Sequence, residues 1–106
     1  MVKKLLFLFA ILIYSTNFSQ EKSVNNLDAS PNPFSNSTNI SFDSLNKESV
    51  IIVVKNILGK TVFKKEFETV KGNNSIPFYS NNLQPGMYIY SIQNNTDFIH
   101  KRFIIK

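Results

Sequence analysis

The chain has 106 residues, with 12 Lys and Arg against 7 Asp and Glu, a single His and no Cys. This length suits one small domain and excludes a two-domain enzyme, and the lack of Cys excludes a disulfide framework, a thiolate zinc site and a Cys nucleophile. The formal charge of +5 falls to +3 once Lys3 and Lys4 are set aside, because 10 basic and 7 acidic residues remain, and this excess is too small for a nucleic-acid-binding surface.

The first nineteen residues have the parts of a secretory signal peptide. A positively charged start is followed by the uninterrupted apolar residues 5–14 and the polar residues 15–19. Ten apolar residues extend about 15 Å as a helix, about half of the ~30 Å hydrocarbon core of a bilayer. We therefore predict export, with cleavage between Ser19 and Gln20, and no transmembrane segment in the mature chain.

The remaining chain divides into a leader and a series of strands. Residues 20–29 are mostly polar and are interpreted as a short leader into the domain. After them apolar residues recur with a period of two, which favours strands over helices. The predicted strands are residues 38–42, 50–57, 61–68, 75–79, 87–93 and 98–105.

Two of these predicted strands have recognisable places in a sheet, and turn residues separate the last five strands from one another. Residues 50–57 are β-branched and apolar on both faces at their start, as in a central strand, whereas Pro77 marks an edge strand. Gly59 is available for a positive φ, residues 71–74 separate the next pair of strands, and residues 94–97 close the last hairpin.

A further turn is predicted where Pro85 and Gly86 stand at the central positions of a type II turn. Six or so short strands spaced in this way indicate an all-β protein, an antiparallel β-sandwich over residues 30–106.

Candidate catalytic residues are few. His100 is predicted on the polar face of its strand beside Arg102, which is typical of an exposed strand histidine. Glu66 and Glu68 share a strand face with Lys64, which favours a charge-balanced surface over an acid–base pair. The acids are scattered, no loop has the spacing of Ca²⁺ ligands, and phosphate-binding loops are missing. The sequence predicts a non-catalytic protein without cofactor, metal or small-molecule substrate.

A nucleic-acid partner is not expected. The nearest candidate interface combines Lys101, Arg102 and Lys106 with Phe98 and Phe103. Phe103 is needed for the core, however, and an exported protein rarely meets nucleic acid.

A set of short motifs occurs in a definite order. They are Ser-Pro-Asn-Pro-Phe at 30–34, the predicted strand at 38–42, Gly-Lys-Thr-Val at 59–62, Gly-Asn-Asn-Ser-Ile at 72–76, Leu-Gln-Pro-Gly-Met-Tyr-Ile at 83–89 and Lys-Arg-Phe-Ile-Ile-Lys at 101–106. Each motif is an ordinary turn or strand, but their order, spacing and position resemble the type A C-terminal sorting domain of the type IX (Por) secretion system. The resemblance covers residues 29–106 and departs from the family at Ser30, where many members have an aromatic residue.

The resemblance implies a seven-stranded immunoglobulin-like sandwich that acts as a sorting signal for secretion. In that family the cargo crosses the inner membrane by its signal peptide and folds in the periplasm, and the outer-membrane translocon then recognises the C-terminal domain. A sorting peptidase at the surface commonly removes the domain. The implied partners are the translocon and this peptidase, and the implied location is the periplasm in transit, then the cell surface or medium.

The family's motifs carry over to twelve positions of this sequence. They are Pro31, Asn32, Pro33, Gly59, Lys60, Gly86, Tyr88, Lys101, Arg102, Phe103, Ile105 and Lys106. The last strand would supply apolar anchors (Ile99, Phe103, Ile105) and exposed cations (Lys101, Arg102, Lys106). The two prolines at 31 and 33 either keep a preceding linker from pairing with the sheet, leaving it open to a protease, or simply make a turn.

Several interpretations stay open. Family members normally follow hundreds of residues of cargo, whereas here only residues 20–29 precede the domain, so an orphan sorting domain, a truncated gene and a small surface protein are all compatible with the sequence. The alternative function is a small secreted adhesion module that binds glycan or protein through exposed aromatics such as Tyr79, Tyr88 or Tyr90.

Overall fold

A computed structural model of the chain describes residues 22–106, so the predicted signal peptide and its cleavage point at Ser19 and Gln20 lie outside the described residues. Seven strands are present: β1 (Val24–Ser30), β2 (Ser37–Ser44), β3 (Ser49–Asn56), β4 (Thr61–Glu68), β5 (Gly72–Tyr79), β6 (Gly86–Gln93) and β7 (Phe98–Ile105). Within residues 22–106 there is no helix of the length and apolar character needed to cross a membrane. The all-β prediction is confirmed.

The strands form two antiparallel sheets that pack face to face. One sheet has the order β1-β2-β5 and the other β4-β3-β6-β7. This distribution of the strands between two sheets is that of immunoglobulin-like sandwiches. β3 has a neighbour on both sides, as its β-branched sequence predicts. β5 lies at an edge, as predicted from Pro77, which has no N–H to donate to a further strand.

The core lies between the two sheets and draws on every strand. Its buried apolar side chains are Val24, Leu27, Ala29, Phe34, Ile40, Phe42, Val50, Ile52, Val54, Ile76, Phe78, Tyr88, Tyr90, Ile92, Phe103 and Ile105. β4 contributes only half-buried residues, among them Phe63 and Phe67. Its edge carries exposed charges such as Lys65, which discourage pairing with another chain.

Strand β1 lies in the segment that the sequence analysis interprets as a leader, residues 20–29. A β-bulge interrupts its pairing with β2 at Asn26, whose φ is 55°. The side chains that point into the core are therefore Val24, Leu27 and Ala29, which are three positions and then two positions apart. This spacing hides the period of two, and the sandwich includes residues ahead of position 30.

The predicted type II turn at Pro85 and Gly86 is wrong. The hydrogen-bonded turn occurs earlier, where the N–H of Leu83 donates to the carbonyl of Ser80 at 2.8 Å and Asn81 has a φ of 45°. Gly86 has a φ of 150°, far from the ~80° of a type II turn. It begins strand β6 instead, and few residues other than Gly adopt its φ.

The β3–β4 hairpin agrees with the sequence. Gly59 has a φ of 84°, and its N–H donates to the carbonyl of Asn56 at 3.0 Å. The side-chain carbonyl of Asn56 also accepts from the N–H groups of Leu58 and Lys60, each at 3.0 Å. The turn is thus closed by Asn56 and by a Gly in the left-handed region.

Two polar side chains hold the connection that crosses from β4 to β5. The hydroxyl of Thr69, which is buried, accepts from the N–H of Glu48 at 3.0 Å and lies 2.8 Å from the carbonyl of Asn46. The side chain of Asn74 binds both the N–H and the carbonyl of Val70, at 2.8 and 3.0 Å. The connection therefore changes sheets without leaving these backbone groups unpaired.

The start of the described chain is fixed to the β6–β7 loop by Asp97. One of its carboxylate oxygens accepts from the hydroxyl and from the N–H of Ser23, both at 2.8 Å. Asn94 Nδ2 donates to the same hydroxyl at 2.7 Å. The hydrogen bonds from Ser23 hold the pKa of Asp97 below its ordinary value of 3.8.

The Asp97 carboxylate makes part of the folding stability dependent on pH in the acid range. Because the pKa of Asp97 is lower in the folded state than in the unfolded state, its contribution is fully present above pH 3.8 and is lost as the pH falls through the folded pKa. We expect Asp97→Asn to flatten the fall of Tm in acid, measured by thermal unfolding between about pH 2 and pH 6. Equal acid slopes for the parent and the variant would contradict this assignment.

Candidate functional site at the terminal strand

Strand β7 (Phe98–Ile105) lies at one edge of the four-stranded sheet and pairs with β6 along its length. Its inward side chains are Phe103 and Ile105, which are buried, with Ile99 packed against the core. The exposed cations at this end of the chain are Lys101, Arg102 and Lys106. The apolar and cationic residues thus lie where the sequence places them.

The ring of Phe103 is the centre of an aromatic cluster between the sheets. Its centroid lies 5.0 Å from that of Phe34, 5.1 Å from Tyr90, 5.3 Å from Phe78 and 6.1 Å from Tyr88. Four rings from β5, β6 and the segment between β1 and β2 therefore surround one side chain near the end of the chain. The terminal strand is a structural part of the core.

The segment between β1 and β2 covers the free edge of β7. Asn32 takes the place of a strand residue there, since its Oδ1 accepts from the N–H of Ile104 at 3.0 Å and its Nδ2 donates to the carbonyl of Arg102 at 3.3 Å. The main chain of Phe34 pairs with the same edge. Its N–H donates to the carbonyl of Ile104 at 3.0 Å, and its carbonyl accepts from the N–H of Lys106 at 2.8 Å. The edge of β7 over residues 102–106 is thus already paired within the chain.

The prolines on either side of Asn32 shape this segment. Both proline peptide bonds are cis, and the carbonyl of Pro31 accepts from the hydroxyl of Thr38 at 2.6 Å. The residues just ahead of Pro31 belong to β1 and are paired with β2. The hypothesis that Pro31 and Pro33 keep a preceding linker out of the sheet is therefore wrong, and their role as turn residues fits the structure.

The Leu-Gln-Pro-Gly-Met-Tyr-Ile motif reaches the same end of the sandwich. Gly86 and Tyr88 pair with Ile105 and Phe103 across the β6–β7 ladder. The hydroxyl of Tyr88 donates to the carbonyl of Gln84 at 2.7 Å and fixes the start of β6, as the tyrosine corner does in immunoglobulin-like domains.

Three of the sequence motifs therefore meet around the end of β7, whereas the motif at 72–76 lies in β5 of the other sheet, paired with β2. The Pro-Asn-Pro segment, the start of β6 and the terminal residues contact one another. Gly59 and Lys60 lie in the β3–β4 hairpin, separated from β7 by β6 in the sheet order. Thr38 and Ile104 also belong to this cluster; they lie inside the motifs at 38–42 and 101–106 but are not among the twelve positions carried over, because each is an ordinary strand residue in the sequence.

The tyrosines named for an adhesion function are mostly inaccessible. Tyr88 and Tyr90 are buried, and only Tyr79 is exposed. Burial, together with the nearby charge of Asp28, raises the pKa of Tyr90 to about 12. The prediction that Tyr88 and Tyr90 are available at the surface is wrong.

The residues considered for catalysis are solvated. His100, Glu66 and Glu68 are exposed. Glu66 accepts from the hydroxyl of Ser49 at 2.8 Å, and Glu68 lies 3.5 Å from Lys47. Over residues 22–106, no three His, Asp or Glu side chains are grouped so that they could hold a metal ion.

A family model described as a secretion system C-terminal sorting domain matches residues 28–106. The match starts inside β1 and continues through β7 to the end of the sequence. It therefore includes every residue of the cluster at the end of β7. No curated protein matches the chain.

Proposed function

Because the chain belongs to the family of secretion system C-terminal sorting domains, we propose that its β-sandwich is the folded signal by which the type IX outer-membrane translocon selects it. Residues 1–19 would direct passage through the inner membrane, and the folded domain would then direct export from the periplasm to the cell surface or medium. The observation that carries the proposal is the meeting of three family motifs around the end of β7.

We propose that the translocon contacts exposed cations there. Lys101 and Arg102 on β7 and Lys106 directly after it are exposed, and the neighbouring Phe103 and Ile105 are fixed in the core. The only salt bridge within residues 22–106 joins Lys47 to Glu68. The three cations therefore have no carboxylate partner in the described part of the chain and can bind acidic groups of a partner.

Deleting the end of the chain would not test this proposal. Removal of residues 103–106 takes away Phe103 and Ile105, whose side chains are buried, together with the main-chain bonds to Phe34. The truncated domain would lose export through unfolding, whatever the translocon recognises. Substitution of exposed cations avoids this problem, because exposed charges contribute little to stability.

We expect the double variant Lys101→Gln, Lys106→Gln to remain folded and to lose most of its export. The test uses the full chain with a fluorescent reporter inserted ahead of Lys22, because the adjacent Ser23 binds Asp97 and must be kept. Reporter at the surface and in the medium is measured in a type IX-competent host and in a translocon-null strain, and thermal unfolding is measured on the purified proteins.

The matched control is Lys47→Gln, Lys71→Gln, which removes the same charge from exposed loops outside β7. Reporter retained in the periplasm of both strains would contradict the sorting function. Equal export of the two double variants would instead show that the cations of β7 are not recognised. Exported reporter that lacks the domain would identify cleavage by a surface peptidase.

A further inference from the structure

The outer face of the four-stranded sheet carries exposed apolar side chains on neighbouring strands. Met87, Ile89, Phe98 and Ile104 are 39%, 36%, 52% and 47% exposed, and we call these four residues the apolar strip. Met87 and Ile104 are directly opposite each other on β6 and β7. Scattered exposed apolar residues are ordinary, but grouping on one sheet face is typical of an interaction surface.

A shallow groove lies on the same face, between Ile89 and Phe98 of this strip. It has a volume of about 340 Å³, and its lining includes Val53, Ile89, Ser91, Phe98 and His100. The rings of Phe98 and His100 lie 5.5 Å apart at one side of it. The groove is large enough to receive a few side chains of a partner, which a flat sheet face is not.

Cations lie next to the apolar strip and the groove. Lys55 and Arg102 are the direct neighbours of Ile89 on β3 and β7, and Lys64 is the neighbour of Val53 on β4. All three cations are exposed, and none has a salt-bridge partner within residues 22–106. An apolar centre between unpaired cations is complementary to a surface with carboxylates around apolar side chains.

We propose that this face docks a protein of the secretion machinery whose contact surface is acidic around an apolar centre. The inference rests on the proposed sorting function and adds the surface that the partner contacts. Four strands of eight residues, about 3.3 Å per residue and about 4.8 Å apart, give a face of roughly 26 by 19 Å. That area is sufficient for the central part of a standard interface of about 800 Å² per partner.

The face is favoured over the free edge of β7 because the end of that edge, residues 102–106, is occupied. Asn32 and Phe34 already bind the free N–H and carbonyl groups of Ile104, together with the carbonyl of Arg102 and the N–H of Lys106. A partner strand could pair there only after displacing them. The outer face needs no such rearrangement.

A protein partner is favoured over an anionic membrane. Membrane recognition by charge typically uses clusters of four to eight Lys and Arg, whereas three flank this strip. Glu66 and Glu68 lie on β4 on the same face of the sheet, where the register places Glu66 next to Ile51 on β3. A flat anionic surface would meet these carboxylates as well, while a shaped protein surface can avoid them.

The test uses the full chain with the reporter ahead of Lys22. Lys55→Glu is expected to reduce export at least tenfold while the Tm stays within a few degrees of the parent. Ile89→Asp is expected to do the same through the apolar strip. The matched controls are Lys71→Glu and Val70→Asp, at exposed positions in the β4–β5 connection, and these are expected to export as the parent does.

The outcomes separate this inference from the function on which it rests. If the parent itself is not exported, the sorting function is overturned and the docking face with it. If the parent is exported and the folded Lys55→Glu variant is exported equally, the docking face alone is overturned. Binding of the purified chain to phosphatidylglycerol vesicles that is lost in Lys55→Glu would overturn the protein partner in favour of a membrane.

Discussion

Replacing Phe103 by Ala is expected to lower the free energy of unfolding by about 3–5 kcal/mol. The side chain is fully buried, and its ring packs against those of Phe34, Tyr90 and Phe78 at 5.0, 5.1 and 5.3 Å. The segments that carry these three rings cannot move into the cavity left by Phe103 without losing their own contacts. A domain of this size has a total stability of roughly 4–13 kcal/mol, so the variant will be marginal or unfolded.

The next residue provides the control. Ile104 lies on the same strand but is 47% exposed, and Ile104→Ala should cost about 1 kcal/mol or less. Urea unfolding followed by circular dichroism measures both values. A cost for Phe103→Ala within about 1 kcal/mol of that for Ile104→Ala would contradict the central place of the ring.

An export defect in a Phe103 variant does not by itself reveal a sorting role for β7. Because Phe103 belongs to both the family motif and the core, a variant there loses any function that needs the folded sandwich. A sorting role for β7 is therefore established only by residues whose side chains are exposed, such as Lys101 and Lys106.

Most of the fold follows from local pattern, and the missed strand shows where local pattern fails. β4 and β7 have the bounds that the sequence predicts, and the turn residues recognised in the sequence, 58–60 and 94–97, directly precede them. β1 was not predicted, because a bulge at Asn26 changes the spacing of its buried residues. A short polar strand with one irregular step cannot be told from a leader by periodicity.

The site depends on strand order, which the sequence does not show. Asn32 and Ile104 are 72 positions apart when they form their hydrogen bond, and no local pattern relates them. The motifs around them were identified by resemblance, but that Asn32 serves as a strand residue on the edge of β7 required the structure. Pro85 and Gly86 are misleading for a related reason, since the same pair can make a turn or begin a strand.

Replacing Phe34 by Ala is expected to cost about 3–5 kcal/mol and to release the end of β7. Its ring is buried, 5.0 Å from that of Phe103 and 6.2 Å from that of Phe78. This ring fixes the main chain that binds Ile104 and Lys106. Amide hydrogen exchange should therefore accelerate at Ile104 and Lys106. If the variant approaches unfolding, it should also accelerate at the amides that exchange only through global unfolding.

The Asn32→Ala variant distinguishes the hydrogen bonds of the Asn32 side chain at the edge of β7 from the packing of the Phe34 ring in the core. It removes the acceptor of the Ile104 N–H but leaves the bond between Lys106 and Phe34, so the loss of stability should be about 1 kcal/mol. Exchange should accelerate at Ile104 and stay slow at Lys106, which makes each amide the control for the other. If both amides exchange as slowly in Asn32→Ala as in the parent, Asn32 does not serve as a strand residue. If both accelerate equally, the side chain instead supports the whole segment, and the edge of β7 is held as one unit with the Phe34 ring.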